Sequence, residues 1–193
     1  TISNNTIIGN LFQLINKFLC ESVFSRSKKK LNPKDGLYTF ESARSAIYNI
    51  LCSLGIGSND EVIVCAFTCD AVTYAVRKTD AKVVYIDVND DLSMNDYDLL
   101  DAITKSTKAV IMQNTFGLIG LKKQTIEKIK QLDIAIIEDC SLSSGSKSEN
   151  ILHGKIGDFS VWSLEVSKTI TIGWGGIVEV NNDDLLLNFL SRY

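Results

Sequence analysis

The chain has 193 residues, a formal net charge of −3 and 45% hydrophobic residues. This length suffices for one substantial core, and the small, mixed charge excludes the basic surface that nucleic-acid binding requires. No run approaches the roughly 20 consecutive apolar residues that cross a bilayer, so we expect a soluble protein without a membrane span.

The cysteines indicate a reducing compartment, because they are odd in number, scattered and mostly set among apolar residues. They are Cys20, Cys52, Cys65, Cys69 and Cys140. With a single histidine in the chain, few ligands are available for a Cys/His metal site, and we expect none. The expected location is the cytoplasm.

Residues 1–36 are predicted to precede the main domain. Apolar residues between Ile7 and Leu19 recur at helical spacing, which predicts an amphipathic helix, and the basic stretch "SRSKKK" follows it. Such a helix docks on the domain or on a partner subunit, or else lies on a membrane surface, and we favour docking. The turn "LNPKDG" contains the only proline and separates this segment from residues 37–193.

The main domain alternates between helical and strand patterns. Helices are predicted over 43–54, 70–78, 96–103, 123–132 and 183–192, and strands over 61–67, 81–88, 108–114, 134–140, 159–164 and 175–180. The strands are continuous apolar runs, which are typical of a mostly parallel sheet covered by helices on both faces. The fold class is therefore α/β.

In such sheets ligands bind beyond the carboxyl ends of the strands. Asp139 follows a buried strand in "IAIIEDCS", where an acid requires a compensating partner. A helix cap or a salt bridge would supply one, and so would the protonated ring nitrogen of a cofactor.

The stretch "FESARSAIYNIL" places Ser42, Arg44 and Ser45 at the start of an amphipathic helix. Unpaired N–H groups there favour an anion such as phosphate, although a serine at this position also serves as an ordinary N-cap.

Lys168 lies in the apolar, glycine-containing stretch "WSLEVSKTITIGWGG", between two predicted strands and close to Ser163. A lysine amine can form a Schiff base, and the glycines at 173, 175 and 176 allow the backbone to approach closely and turn. A phosphate anchor, an acid for a ring nitrogen and an imine-forming lysine together describe a pyridoxal phosphate site.

The order of these segments resembles the N-terminal part of the sugar aminotransferases of the DegT/StrS type. The resemblance covers about Phe40 to Asp184 and rests on successive blocks: "SARSAI", "LGIGSNDEVIVCAFTCDAV", "AKVVYIDV", "LLDAITKSTKAVI", "AIIEDCS", "GKIGDFSVWSLEVSK" and "GWGGIVEVNND". It implies the three-layer α/β/α large domain of fold-type-I pyridoxal phosphate enzymes over 37–193, without the small C-terminal domain. The chain would then be a fragment, or one piece of an assembled enzyme.

The resemblance also implies roles for six residues. Lys168 matches the lysine that bonds to the cofactor and moves the proton, and Asp139 matches the acid that pairs with the pyridine nitrogen. Ser163 matches a serine that binds the phosphate. Arg44 and Ser45 match helix-start positions whose backbone also binds the phosphate. Cys69 occupies the position of an aromatic that often stacks on the ring.

Four residues depart from the family pattern. Leu142 stands where Gln or His is common near the cofactor, and Cys69 cannot stack as an aromatic does. Trp174 replaces an acidic residue in the glycine turn, and Thr169 replaces an asparagine after the lysine. These departures point to looser cofactor binding or an unusual substrate.

The implied function is transfer of an amino group, from glutamate, to a keto sugar nucleotide in polysaccharide or related amino-sugar biosynthesis, by a homodimer. One alternative is a pyridoxal phosphate-dependent sugar dehydratase, whose known members carry histidine at the lysine position. Another is a truncated or degenerate homologue without catalysis. A nicotinamide-dependent dehydrogenase is disfavoured, because no G-x-G-x-x-G follows the first strand of the predicted alternation.

Overall fold

A computed structural model describes residues 36–193, which contain nine strands and five α-helices. The strands are β1 Leu37–Phe40, β2 Glu61–Cys65, β3 Lys82–Ile86, β4 Thr107–Gln113, β5 Ala135–Asp139, β6 Lys147–Ser148, β7 Ile151–Leu152, β8 Phe159–Ser163 and β9 Gly176–Val180. The helices are α1 Ala43–Ser53, α2 Asp70–Arg77, α3 Asp96–Ala102, α4 Lys123–Gln131 and α5 Asp183–Leu190. A short 3₁₀ turn spans Thr115–Gly117.

Seven strands form one sheet in the order β1-β9-β8-β5-β4-β2-β3. The pairs from β8 through β5, β4 and β2 to β3 are parallel, and β9 runs antiparallel to both of its neighbours. The remaining strands, β6 and β7, form a small hairpin. The carboxyl ends of β2, β4, β5 and β8 therefore meet at one edge of the sheet.

Hydrophobic clusters cover both faces of this sheet. One cluster packs α1, α2 and α5 on one face through residues such as Ile50, Val76 and Phe189. The other packs α3 and α4 on the opposite face through Leu99 and Ile129. Successive strand residues alternate between the two clusters, which is the three-layer α/β/α arrangement.

The fold class and the predicted elements are confirmed, with bounds within two residues of those expected. Strands β1, β6 and β7 and the 3₁₀ turn were not predicted, because each has at most four residues and too few positions to show a period. The predicted N-terminal helix lies outside the described residues. Over residues 36–193, no helix has the length and apolar character needed to cross a bilayer.

Candidate functional site

A cleft of about 520 Å³ opens at the carboxyl edge of the sheet. It is lined by the start of α1 and by residues at or beyond the ends of β2, β4, β5 and β8. Five of the six predicted site residues line it: Arg44, Cys69, Asp139, Ser163 and Lys168. The structure thus brings together residues that lie up to 124 positions apart in the chain.

Helix α1 begins at this cleft with Ser42 as its N-cap. The Ser42 backbone is extended, and its Oγ accepts a hydrogen bond from the Ser45 N–H at 3.2 Å. The N–H groups of Ala43 and Arg44 have no partner within the helix, since the first turn of any α-helix lacks one. Both residues line the cleft, and unpaired N–H groups at the start of a helix favour an anion such as phosphate.

Ser45 is the predicted site residue that the cleft does not include. Its N–H already donates to Ser42, and its hydroxyl donates to the Glu41 carboxylate. The Arg44 guanidinium lies 5.4 Å from the centre of the Tyr74 ring, a cation–π arrangement. Ser42, which the sequence pattern marked only as part of the helix start, lines the cleft.

Gly176, the first residue of β9, allows this strand to pass directly beneath the start of α1. A Cβ at position 176 would lie 2.5 Å from the carbonyl carbon of Ser42 and 2.6 Å from the nitrogen of Ala43. Gly175, immediately before it, has a φ of 147°, which a residue with a side chain rarely adopts. Of the three glycines predicted to let the backbone approach closely and turn, Gly176 makes the close approach and Gly175 lies in the turn.

Asp139 is the last residue of β5 and only 5% exposed. Its Oδ1 accepts a hydrogen bond from the Ser141 N–H at 2.9 Å, and no described lysine or arginine forms an ion pair with it. Burial raises the pKa of the Asp139 carboxyl, while the hydrogen bond from Ser141 and the charge of Lys168 act in the opposite direction. A buried acid in this state is suited to a cationic partner that enters the cleft.

Glu138, the preceding residue, points to the other face of the sheet and is fully buried. One carboxylate oxygen accepts from the Asn114 side-chain amide at 2.8 Å. The other accepts from the Ile156 N–H at 3.2 Å and the Ser160 hydroxyl at 3.3 Å. Of the acid pair in "IIEDC", Glu138 is thus satisfied within the protein and Asp139 faces the cleft.

Ser163 and Lys168 enter the cleft from the end of β8 and the loop beyond it. Ser163 is buried, and its Oγ accepts from the Glu165 N–H at 3.4 Å. The Lys168 N–H donates to the Glu165 carbonyl at 2.9 Å, in a turn. Hydrogen bonds from Leu164 to the Gly175 carbonyl and from Ile172 to the Leu164 carbonyl close the loop on itself.

The residues that depart from the family pattern also surround this space. Cys69 is exposed at the N-cap of α2, and its side chain makes no capping hydrogen bond. Leu142 and Trp174 both line the cleft, and half of the Trp174 side chain is accessible. Thr169 is exposed and does not line the cleft.

The lining also contains residues that were not predicted as site residues, among them Thr68, Gln113, Phe116 and Glu165. Gln113 ends β4 and Phe116 follows it, so reading every strand end for polar or aromatic residues would have found both. Phe116 also has a positive φ of 51°, which is uncommon for a residue with a side chain. No local sequence signal marks that strain.

The chemistry of these donors fits pyridoxal phosphate. The start of α1 and the Ser163 hydroxyl can bind a phosphate, and the buried Asp139 lacks the cation that a protonated pyridine nitrogen would provide. Lys168 supplies an amine in the same cleft. The phosphate, the pyridine nitrogen and the aldehyde of that cofactor therefore each have a described counterpart.

Comparison with known proteins identifies the family of this chain. The sequence profile of the DegT/DnrJ/EryC1/StrS aminotransferase family matches residues 28–190. The chain belongs to this family. GDP-perosamine synthase from Escherichia coli O157:H7 is 34% identical over 148 residues, which are 76% of this chain and 41% of that protein. The chain spans about two fifths of the length of the curated relatives it matches.

Solved structures of aminotransferases share the fold. The aminotransferase TlmJ from Streptoalloteichus hindustanus superposes with a TM-score of 0.78 at 20% identity, over 90% of this chain and 47% of that one. A putative sugar aminotransferase, Spr1654 from Streptococcus pneumoniae, in its PLP form, gives a TM-score of 0.73 at 26% identity, over 91% and 49%. The fold-type-I assignment thus stands on the sheet order, the family profile and these superpositions.

Proposed function

We propose that this chain is the cofactor-binding part of a pyridoxal phosphate-dependent aminotransferase. The observation that carries the proposal is the convergence of Lys168, Asp139 and Ser163 with the start of α1 in one cleft. Family membership supports it, because the family is named for aminotransferases. Residues 37–193 would form the large domain, with residues 1–36 as a separate helix and linker.

The reaction proposed is transfer of an amino group from glutamate to a keto sugar attached to a nucleotide, in amino-sugar or cell-surface polysaccharide biosynthesis. A relative named GDP-perosamine synthase and another named dTDP-3-amino-3,4,6-trideoxy-alpha-D-glucose transaminase support a sugar nucleotide as the amino acceptor. The proposed location is the cytoplasm, where such substrates are made.

The cofactor, when bound, supplies a carbonyl for the lysine and a ring that withdraws electrons from the reacting carbon. Asp139 would keep the ring nitrogen protonated. Burial disfavours the charged form of the Asp139 carboxyl, and a protonated ring nitrogen beside it would stabilise that charged form. The N–H groups of Ala43 and Arg44 and the hydroxyl of Ser163 would orient the phosphate.

Lys168 would act twice. Its amine would hold the cofactor through a covalent bond until the amino group of the substrate displaces it, and the freed amine would then carry a proton from the substrate Cα to the cofactor carbon that had borne that bond. Its loop is closed by backbone hydrogen bonds around Leu164, which keep the amine at the cleft. Two such transfers, one with glutamate and one with the keto sugar, would regenerate the starting form.

A homodimer is also proposed. Several large apolar side chains at or near the mouth of the cleft are exposed, among them Phe67, Phe116, Leu118 and Trp174. Apolar patches of this kind commonly mark an interface, and the family resemblance implies a site shared between two subunits. Sedimentation of the complete protein measures this directly.

Two alternatives to an aminotransferase are a sugar dehydratase and a homologue without catalysis. A sugar dehydratase of the same family is disfavoured by the presence of Lys168, where the known dehydratases carry histidine. A homologue without catalysis is favoured by Leu142 and Cys69, since neither side chain provides the contact expected at its place in the cleft. Product analysis with a keto-sugar nucleotide separates an amino product, a dehydrated product and no turnover.

The decisive experiment treats the complete protein with pyridoxal phosphate, reduces it with borohydride and maps the modified peptide. We expect the label on Lys168, its loss in Lys168→Ala, and its retention in Lys147→Ala, which alters an exposed lysine in β6. A label spread over surface lysines, or equal in all three proteins, would refute the proposal.

A further inference from the structure

Gln113 connects two loops that both contribute to the cleft wall. Its side-chain Nε2 donates to the Phe67 carbonyl at 2.9 Å and to the Thr115 hydroxyl at 2.8 Å. Its Oε1 accepts from the Thr68 hydroxyl at 2.5 Å. One amide thus holds the loop between β2 and α2 and the turn that follows β4.

Gln113 is also joined to the strand that carries Asp139. The two residues are direct partners in the parallel pairing of β4 with β5, and the Asn114 N–H donates to the Asp139 carbonyl at 3.0 Å. The position of the Gln113 side chain is therefore set by the same backbone that positions the buried acid.

The two loops carry two of the aromatic side chains of the cleft and its thiol. Phe67 is 51% exposed, Phe116 is 66% exposed with a positive φ, and Cys69 follows Thr68 directly. Within the described loops, the side-chain hydrogen bonds that tie these segments to β4 pass through Gln113.

We propose that Gln113 is a positioning residue that sets the spacing between the Phe67–Cys69 loop, the Thr115–Phe116 turn and Asp139. The inference rests on the proposed function and deepens it, since this spacing would determine how tightly the cleft closes on the cofactor and the amino acceptor. Gln113 acts through the two loops, without itself taking part in bond making.

The test compares Gln113→Leu, which keeps the volume and removes all three hydrogen bonds, with Gln124→Leu, which alters an exposed glutamine on α4. The first readout is alkylation of Cys65 in the complete, cofactor-free protein. The Cys65 thiol is 2% exposed, lies 3.6 Å from the Phe67 carbonyl oxygen and has a pKa raised by burial, so it reacts only when this loop opens.

We expect Gln113→Leu to speed Cys65 alkylation about tenfold, while Cys140, which follows β5 directly and is fully buried, keeps its wild-type rate. The affinity for pyridoxal phosphate should fall by about the same factor. Rates and affinities within about twofold of wild type would overturn the inference.

If Gln113→Leu unfolds, Cys140 becomes labelled as well. Thr68→Val, which removes a single hydrogen bond, then carries the test and should speed Cys65 alkylation by a smaller factor without exposing Cys140. Alkylation of Cys65 does not depend on the cofactor, so it tests the role of Gln113 by itself. If borohydride reduction failed to label Lys168 in the wild-type protein, only the proposed function would be refuted.

Discussion

Two adjacent carboxylates, Glu138 and Asp139, mark regions of the molecule with opposite properties. Glu138 is 0% exposed and accepts hydrogen bonds from Asn114, Ile156 and Ser160. Asp139 is almost as buried, yet its described hydrogen-bond donor is the Ser141 backbone. Because successive strand residues face opposite sides, Glu138 is satisfied within the fold, whereas Asp139 faces the cleft, where we propose that it meets the cofactor.

Replacing each carboxylate in turn tests whether the two acids differ in this way. Asp139→Asn should lower the rate of amino transfer about a hundredfold or more, because it removes the charge that we propose pairs with the ring nitrogen of the cofactor. It should not lower the stability of the cofactor-free protein, since a carboxylate whose pKa is raised by burial disfavours the folded state at neutral pH. Single-turnover kinetics and urea unfolding measure the two effects.

Glu138→Gln is the matched variant on the opposite face. It should lower the free energy of unfolding by about 2 to 3 kcal/mol, because the new amide group faces donors that it cannot satisfy. A variant as stable as wild type would show that the hydrogen bonds around Glu138 do not stabilise the fold.

A second, smaller contrast lies on β8. Ser163→Ala should weaken binding of pyridoxal phosphate about tenfold with little change in stability, because a hydrogen bond to a charged phosphate is lost. Ser160→Ala removes a hydroxyl that donates to the Gly154 carbonyl at 2.8 Å, and should lower the free energy of unfolding by about 1 kcal/mol with no change in affinity. If Ser163→Ala lowered the stability and Ser160→Ala weakened the binding of pyridoxal phosphate, the roles assigned to the two faces of β8 would be wrong.

The smallest expected effect is a pH dependence on the Glu138 side. His153 is buried, its Nε2 lies 2.7 Å from the Ser148 hydroxyl, and burial lowers its pKa. Its contribution to stability is therefore complete above the ordinary histidine pKa of about 6.5 and is lost as the pH falls below that value.

His153→Gln should flatten the stability profile between about pH 5 and 8, measured by urea unfolding. Because His153 is the only histidine in the chain, the difference between the two profiles belongs to it. Equal slopes for the two proteins would mean that His153 titrates alike in the folded and unfolded chains.

Much of this arrangement could be predicted from the sequence, because buried parallel strands and amphipathic helices leave patterns over many residues. Asp139, Ser163 and Lys168 were found because each lies at or just beyond the end of such a strand. The position of Ser45 could not be judged, since whether its N–H is free depends on the rotamer of Ser42. The connections made by Gln113 link residues 45 and 46 positions apart, which no local pattern records.

The pairing of β1 with β9 has a consequence for biosynthesis. Leu37 lies opposite Glu179, so the edge of the sheet nearest α1 joins segments from the two ends of the described chain. Strands β2 to β5 can pair as they emerge from the ribosome, whereas the start of α1 gains its support only after Gly176 has been synthesised. The start of α1 should therefore be among the last parts of the cleft to form, and the proposed binding of the cofactor phosphate there would follow translation of this region.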